Sequence, residues 1–279
     1  MSSEKGRDFL RLLDDEHIHQ LSLKIAKEDP FNDNHVLEIL IYNIWGHRSV
    51  SKFISHCIWC AHREVIQESF VDKQFGKEIR ILGTEHINDI GSEPIIIICP
   101  MTVCTHDALN AILKICSHYI PDREFVIYGE NMGLYLKQNP QYKSYFAKNS
   151  LAGIKQIRKV LRNNGVFFTY ADFVYDSHSL LFGELFGIER AYSQGLISIA
   201  VKSKAVLLPL VITRRSDFLE INLFKPIQQN NTSEKSEVEL RIYEQTLCLV
   251  IGRILEGLIL KVPDQWRLMP TLTHEIEIF

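Results

Sequence analysis

The stretch from Pro94 to Lys114 constrains the fold most, because it combines a buried strand, a polar loop and a helix. Ile95 to Cys99 is continuously apolar and rich in β-branched residues, as expected of a strand covered on both faces of a sheet. Pro100 lacks a backbone N–H and therefore ends the strand. From Ala108 onward the apolar residues recur at helical spacing. The pattern predicts a strand that lies inside a sheet and a helix that comes directly after it.

The loop between this strand and this helix carries a cluster of polar and reactive side chains: Thr102, Cys104, Thr105, His106 and Asp107. The loop comes just past the carboxyl end of a strand, where open α/β sheets build their sites. We therefore take it as the candidate active site. The alternative is ordinary helix capping, with Thr102 or Thr105 as the N-cap and Asp107 interacting with the helix dipole.

From residue 78 onward, short apolar runs alternate with amphipathic segments. The predicted strands are 78–82, 95–99, 124–128, 166–170, 205–213 and 218–224. The predicted helices are 106–118, 150–162, 191–204 and 236–261, with a loop over 172–187. Ser236 and Glu239 predict a capping box at the start of the last helix. This alternation indicates an α/β fold with a mainly parallel central sheet flanked by helices.

The N-terminal region has a different pattern. Apolar residues recur every three or four positions over 1–28, which predicts one or two helices that pack in the core or form a lid. The strongly apolar stretch 35–67 predicts two helices that pack in the core or hold an acyl chain. The sequence contains no internal repeat and no domain-separating linker. We therefore expect one domain over 1–279, with a helical region at 1–70 and an α/β core at 78–268.

Charge and hydrophobicity narrow the expected partners. The formal net charge of -3 supplies no basic field for a nucleic acid. The sequence shows no secretory signal pattern and no uninterrupted apolar run of about 18 residues. We expect a cytoplasmic protein without a transmembrane segment, for which peripheral membrane contact stays open.

The six cysteines are expected to be free thiols, because no secretory signal accompanies them. Cys57 and Cys60, which lie between His56 and His62, have the spacing of a zinc or redox motif. Their segment has a helical apolar stripe, however, and no second ligand pair occurs at a familiar spacing. We expect no metal here and no cofactor elsewhere in the chain.

Several short segments occur in an order that is informative as a set. They are Ile81–His86, the loop at 100–107, Asn163–Asp172, Leu181–Gly187, Gly195–Pro209 and Pro263–Trp266. Over roughly residues 80–268 this set resembles the lipid A biosynthesis acyltransferase family. The resemblance implies an acyltransferase-like fold. It also implies transfer of a fatty acyl group from a carrier-protein or coenzyme A thioester to a hydroxyl group.

The chain departs from this family where the catalytic base is expected. The family uses a His followed five residues later by a carboxylate, which orients the imidazole as a general base. Aligning the carboxylate with Asp107 puts the His position on Thr102, and threonine is not a base at neutral pH. His106 directly precedes Asp107 instead. The basic residue that the family tends to carry after the next strand has no counterpart in 126–131.

The candidate site residues come from this loop and from the resemblance. The predicted catalytic residues are His106, Asp107, Thr102 and Asp172, the last of which matches a family carboxylate. The predicted substrate-binding residues are Cys104, Thr105, His178 and Arg190. The alternatives are a turn-forming Asp172, a solvated His178 and a surface ion pair for Arg190.

Three functions remain open from the sequence. The first is an acyltransferase-like enzyme that takes an acyl thioester of acyl carrier protein or coenzyme A. Its acceptor is expected to be soluble or carrier-bound, because 1–28 is charged and amphipathic where the family commonly has a hydrophobic anchor. The second is a hydrolase or tailoring enzyme on a carrier-tethered intermediate. The third is a non-catalytic module that binds an acyl group or a carrier protein.

Overall fold

The structure is a computed structural model that describes residues 78–103, 105–128, 144–147, 150–172, 174, 179–215, 218–229, 236–262 and 265–266. For Thr105, His106 and 144–147 the description covers the backbone alone. The predicted helices within 1–70 and the interpretation of Cys57 and Cys60 fall outside the described residues.

Nine strands and five helices occur in this part of the chain. The strands are β1 (Glu78–Leu82), β2 (Ile95–Cys99), β3 (Phe125–Tyr128), β4 (Ser144–Ala147), β5 (Val166–Tyr170), β6 (Leu180–Leu185), β7 (Ile188–Ser193), β8 (Val206–Arg214) and β9 (Phe218–Leu223). The helices are α1 (Glu85–Asn88), α2 (Thr105–Tyr119), α3 (Leu151–Arg162), α4 (Gln194–Ser203) and α5 (Glu237–Ile259).

Seven of these strands form one sheet, in the order β1-β9-β8-β2-β5-β3-β4. The strands from β8 to β4 pair in parallel, whereas β9 pairs antiparallel with β8 and parallel with β1. All five residues of the central β2 are buried, as expected of a strand with helices on both faces. The predicted α/β class with a mostly parallel sheet is confirmed.

The two faces of the sheet carry separate halves of the core. Because strand side chains alternate between faces, Ile96 and Ile98 of β2 join a cluster with α3, α4 and α5. Ile95 and Ile97 join a cluster with α2 on the opposite face. The carboxyl ends of β8, β2, β5 and β3 therefore lie together between two layers of helices.

Local sequence signals set the ends of several elements. Ser150 caps α3 by accepting a hydrogen bond from the Gly153 amide at 3.1 Å. Asn164 then adopts a left-handed φ of 57°, and a Cβ on Gly165 would lie 2.4 Å from Val160, so only glycine fits there. The predicted capping box is present at Ser236. The predicted start of α5 is therefore confirmed.

A β-hairpin of β6 and β7 replaces the loop predicted over 172–187 and the first residues of the helix predicted over 191–204. The two strands pair antiparallel, and their turn places Phe186 and Gly187 at φ values of 55° and 77°. Positive φ at both positions defines the turn type that hairpins prefer. Phenylalanine is unusual at such a position, so the residue types carry no turn signal here. The loop prediction for this stretch is wrong.

The hairpin is stabilised by α5, which is distant in sequence. The Gln245 side chain donates to the Phe182 carbonyl at 2.6 Å, and the Phe186 amide donates to Glu256 at 2.7 Å. A Cβ on Gly252 would lie 2.5 Å from the Glu184 carbonyl oxygen, so this glycine allows the close approach.

Among the helices described, none is long and apolar enough to cross a membrane.

Candidate functional site

The loop after β2 lies against β8, which is longer than β2. β8 has nine residues and β2 has five, so the end of β8 extends alongside the loop. Thr102 is 1% exposed, and its hydroxyl donates to the Ile212 carbonyl oxygen in β8. The hydroxyl proton of Thr102 is therefore hydrogen-bonded to the backbone of β8.

Asp107 lies in the first turn of α2 and forms an ion pair with Arg214 at the end of β8. The side chains are 1% and 4% exposed, so the pair is buried. Gln265 holds the backbone of Arg214 from the other side. Its side chain accepts from the Arg214 amide at 2.8 Å and donates to the Arg214 carbonyl at 3.1 Å. Sequence reasoning missed Arg214. Its only signal in the sequence is a cation at the end of a long apolar strand.

Asp172 follows β5 and reaches the same loop, because Cys99 of β2 pairs with Tyr170 of β5. Its carboxylate accepts from the Met101 amide at 3.0 Å and from the Trp266 indole N–H at 2.8 Å. Burial raises the pKa of this carboxyl, although the hydrogen bonds from Met101 and Trp266 act in the opposite direction. Asp172 therefore contacts the loop after β2, because β5 lies next to β2 in the sheet.

Arg190 of β7 also belongs to this cluster. It is 4% exposed, and its Nη2 donates to the backbone carbonyl of Asp172 at 2.9 Å. The alternative of a surface ion pair is therefore wrong for Arg190. His178 and Cys104 lie outside the described residues. The backbone of Thr105 and His106 forms the first turn of α2.

Together these contacts define a carboxyl-edge cluster of Met101, Thr102, Asp107, Asp172, Arg190, Arg214 and Trp266. It links β2, β5, β8 and the C-terminal Trp266 through buried polar bonds. A general base must reach a proton of the substrate within about 3 Å. Thr102, Asp107 and Asp172 are each buried and bonded to neighbouring protein groups, so their described contacts stabilise the fold.

A cavity of about 320 Å³ lies against β5, between α3 and α4. It is lined by Tyr128, Ile154, Ile157, Arg158, Phe167, Thr169, Tyr170, Ser179, Ser193, Gln194, Gly195, Leu196, Ser198, Ile199 and Lys202. The helix α3 leads into β5 and α4 leads into β8, while β2 lies between these two strands. Both helices pack on the same face of the sheet, and Thr169 and Tyr170 of the lining lie at the carboxyl end of β5, the edge at which α/β sheets form sites. Thr102, Asp107, Asp172 and Arg190 do not line this cavity.

The most buried residues of the cavity lining are largely apolar. Ile157 and Phe167 are almost fully buried. Thr169 is 2% exposed, and its hydroxyl has no hydrogen-bond partner among the described residues. A buried hydroxyl without a partner typically costs about 1–3 kcal/mol. A ligand atom that bonds to Thr169 would recover that free energy.

Two exposed cations line the cavity. They are Arg158 of α3 and Lys202 of α4, and neither forms an ion pair with another described residue. Gly195 and Leu196 of the first turn of α4 also line the cavity, whereas Lys202 lies in the last turn of that helix. The first amides of a helix lack intrahelical acceptors.

Glu244 of α5 forms hydrogen bonds with two polar side chains of the cavity lining. Its carboxylate accepts hydrogen bonds from the Ser198 hydroxyl and, at 3.5 Å, from the Gln194 side chain. Glu244 itself is buried and does not line the cavity. The side chains of Ser198 and Gln194 are therefore held in place by a residue 46 and 50 positions away, respectively. No local pattern in the sequence indicated this arrangement.

Comparison of the chain with models of known protein families finds no match, and comparison with curated protein sequences finds none. Within the described ranges, no three His, Cys, Asp or Glu side chains are close enough to hold a metal ion. The fold and these sites define an α/β protein with a mostly parallel sheet, a bonded carboxyl-edge cluster and a cation-rimmed cavity beside it.

Proposed function

We propose that this protein binds acyl thioesters of a carrier protein or coenzyme A in the cavity between α3 and α4. One observation carries the proposal: the cavity lining combines apolar side chains, a buried hydroxyl and two exposed cations. An acyl thioester on a phosphorylated arm combines an apolar chain, carbonyl oxygens and a phosphate. The cavity volume is at the lower end of the ~300–1,000 Å³ range of ligand sites.

Binding without turnover is the form of this function that the contacts support best. Thr102 and Asp107 occupy the positions where the lipid A acyltransferase resemblance expects a catalytic pair. Both side chains are buried and bonded to β8. An acyl or carrier-protein binding module is consistent with such a site.

Acyl transfer to a soluble or carrier-bound acceptor is the second candidate. The observation that favours it is the start of α2 at Thr105, which puts His106 in the first helical turn at the carboxyl edge of the sheet. Amides at a helix N-terminus can stabilise an oxyanion of a tetrahedral intermediate. In this mechanism His106 is the general base, and the carboxyl-edge cluster holds the loop in position.

The test combines binding and product analysis. Octanoyl-coenzyme A and an octanoyl carrier protein are titrated against the full chain by calorimetry, and the mixtures, with glycerol added as a hydroxyl acceptor, are then analysed by mass spectrometry. Binding with intact thioester supports the module, acylated acceptor supports transfer, and free octanoate supports the hydrolase alternative. Absence of binding to both thioesters would refute the proposal.

A matched pair of variants locates the binding. Ile154→Trp places an indole in the cavity wall, whereas Leu151→Trp adds the same ring at a position that is 79% exposed on the same helix. Only Ile154→Trp is expected to weaken binding, by about tenfold or more, which is the equivalent of 1.4 kcal/mol. Equal effects of the two variants would place the site elsewhere.

A further inference from the structure

The helices α3, α4 and α5 form one layer on the sheet, and the surface of this layer combines exposed cations with exposed apolar side chains. All three helices contribute to the same core cluster, and α4 contacts both α3 and α5. We infer that the outer face of α3, α4 and α5 binds the surface of an anionic lipid bilayer and lies on the membrane without crossing it. This inference goes beyond the proposed function and does not depend on which ligand the cavity holds.

The helix α3 supplies a basic stripe. Lys155, Arg158, Lys159 and Arg162 recur at spacings of three and four, so they share one side of the helix. All four are exposed, and none forms an ion pair with another described residue. The buried residues on the opposite side of the helix are Gly153, Ile157, Val160 and Leu161. The basic stripe therefore points away from the sheet.

The charge of α3 and α4 is of one sign. Neither helix contains an acidic residue, and Lys202 of α4 is a further exposed cation. On the neighbouring hairpin and α5, the acidic Glu184 and Glu256 both pair with Arg253. The chain as a whole has a formal net charge of -3, so this basic surface is a local feature of the fold. It is complementary in charge to an anionic surface.

Large apolar side chains are exposed on the same layer. Leu151 begins α3 and is 79% exposed, at the end of the basic stripe. On α5, Ile242, Leu249 and Val250 are exposed on the side opposite to the buried residues of that helix. Exposed apolar residues next to lysines and arginines are typical of helices that lie in a membrane interface.

A bilayer matches both features at once. Its headgroups carry negative charge across a broad surface, and hydrocarbon lies directly beneath them. Each lysine or arginine near an anionic membrane surface contributes about fivefold in affinity. Apolar side chains that enter the interface add to this attraction. An acidic protein would have to place its own apolar groups opposite residues on two separate helices, so the bilayer is the simpler partner.

Vesicle sedimentation with the full chain tests the inference. The probes are vesicles of phosphatidylcholine with and without phosphatidylglycerol. The chain is expected to bind the anionic vesicles about tenfold or more tightly than the neutral ones, and added salt should weaken that binding. Equal binding to the two vesicle types, or binding to neither, would overturn the inference.

A matched pair of charge reversals locates the contact. Lys159→Glu on α3 and Lys114→Glu on α2 change the net charge equally, and both lysines are exposed. The helix α2 packs on the opposite face of the sheet. Only Lys159→Glu is expected to weaken binding to anionic vesicles, by about tenfold or more. Equal weakening by the two variants would show that net charge governs binding and would overturn the assignment to this face.

The double variant Leu151→Ser/Ile242→Ser tests the apolar contact. Both residues are exposed, so the fold should be retained, as circular dichroism would show. Binding to anionic vesicles is expected to weaken by about tenfold. Binding as tight as that of the wild type would overturn the apolar contribution.

Two further results would assign the face to another partner and overturn the inference. The first is a wild-type dimer in sedimentation velocity without lipid that becomes monomeric in Leu151→Ser/Ile242→Ser, which would identify a second copy of the chain. The second is binding of poly-glutamate, but not of anionic vesicles, that is lost in Lys159→Glu. That result would identify an acidic protein.

Discussion

The carboxylate of Asp107 and the guanidinium of Arg214 form a buried ion pair between the first turn of α2 and the end of β8. The two residues are 107 positions apart in the chain. From sequence alone, Asp107 was expected to orient a catalytic group or to interact with a helix dipole. The structure shows that Arg214 is its partner, so substitution of Asp107 should lower the stability of the fold.

Asp107→Asn is expected to lower the free energy of unfolding by about 3–5 kcal/mol, because it removes one charge of a buried pair. Urea denaturation followed by circular dichroism measures this change. Asp122→Asn, at an exposed position, should change stability by no more than about 0.5 kcal/mol. If Asp107→Asn folds as stably as the wild type and abolishes turnover of a thioester, the ion pair is secondary and Asp107 is catalytic.

Thr169→Val is expected to stabilise the ligand-free protein by about 1–2 kcal/mol, because it removes a buried hydroxyl without a described partner. Thr102→Val is the matched control. Both threonines are at most 2% exposed, but the Thr102 hydroxyl donates to Ile212. The same substitution there should destabilise the fold. Destabilisation of similar size at both positions in thermal unfolding would show that Thr169 has a partner in the folded protein.

Asp172 should make stability depend on pH in a defined direction. Burial raises its pKa in the folded protein above the value of about 3.9 in an unfolded chain, so the folded state binds this proton more tightly. Its contribution to stability is then fully present below the unfolded pKa and is lost as the pH rises through the folded pKa. The difference in unfolding free energy between wild type and Asp172→Asn should therefore fall as the pH increases from about 3.9. A rising difference would mean that the bonds from Met101 and Trp266 outweigh burial.

The described cysteines should resist alkylation in the folded protein. Cys99, Cys116 and Cys248 are buried free thiols. Burial raises the pKa of Cys116 to about 12 and that of Cys248 to about 11, and it raises that of Cys99 as well. Because the thiolate is the nucleophile, iodoacetamide at pH 8 should modify these three only after unfolding. Peptide mass spectrometry before and after addition of urea tests this, and fast labelling of folded Cys116 would contradict it.

The sequence by itself determined the elements whose signals are local. The continuous apolar run of β2 and the largely apolar run of β5 predicted the bounds that the structure shows, because a strand covered on both faces favours apolar side chains. Ser236 marked a helix start, since the capping box that it forms with Glu239 lies within one turn. The sequence also placed Asp172 near the 100–107 loop, because parallel strands end at the same edge.

Tertiary structure alone decided which groups meet across long separations. The β6–β7 hairpin is held by α5, the partner of Asp107 is Arg214, and the cavity wall joins α3 to α4 with Glu244 behind it. Each of these contacts depends on the order of strands in the sheet and on which face each helix covers. Local periodicity reports which face of an element is apolar, but the identity of the element packed against it depends on the topology.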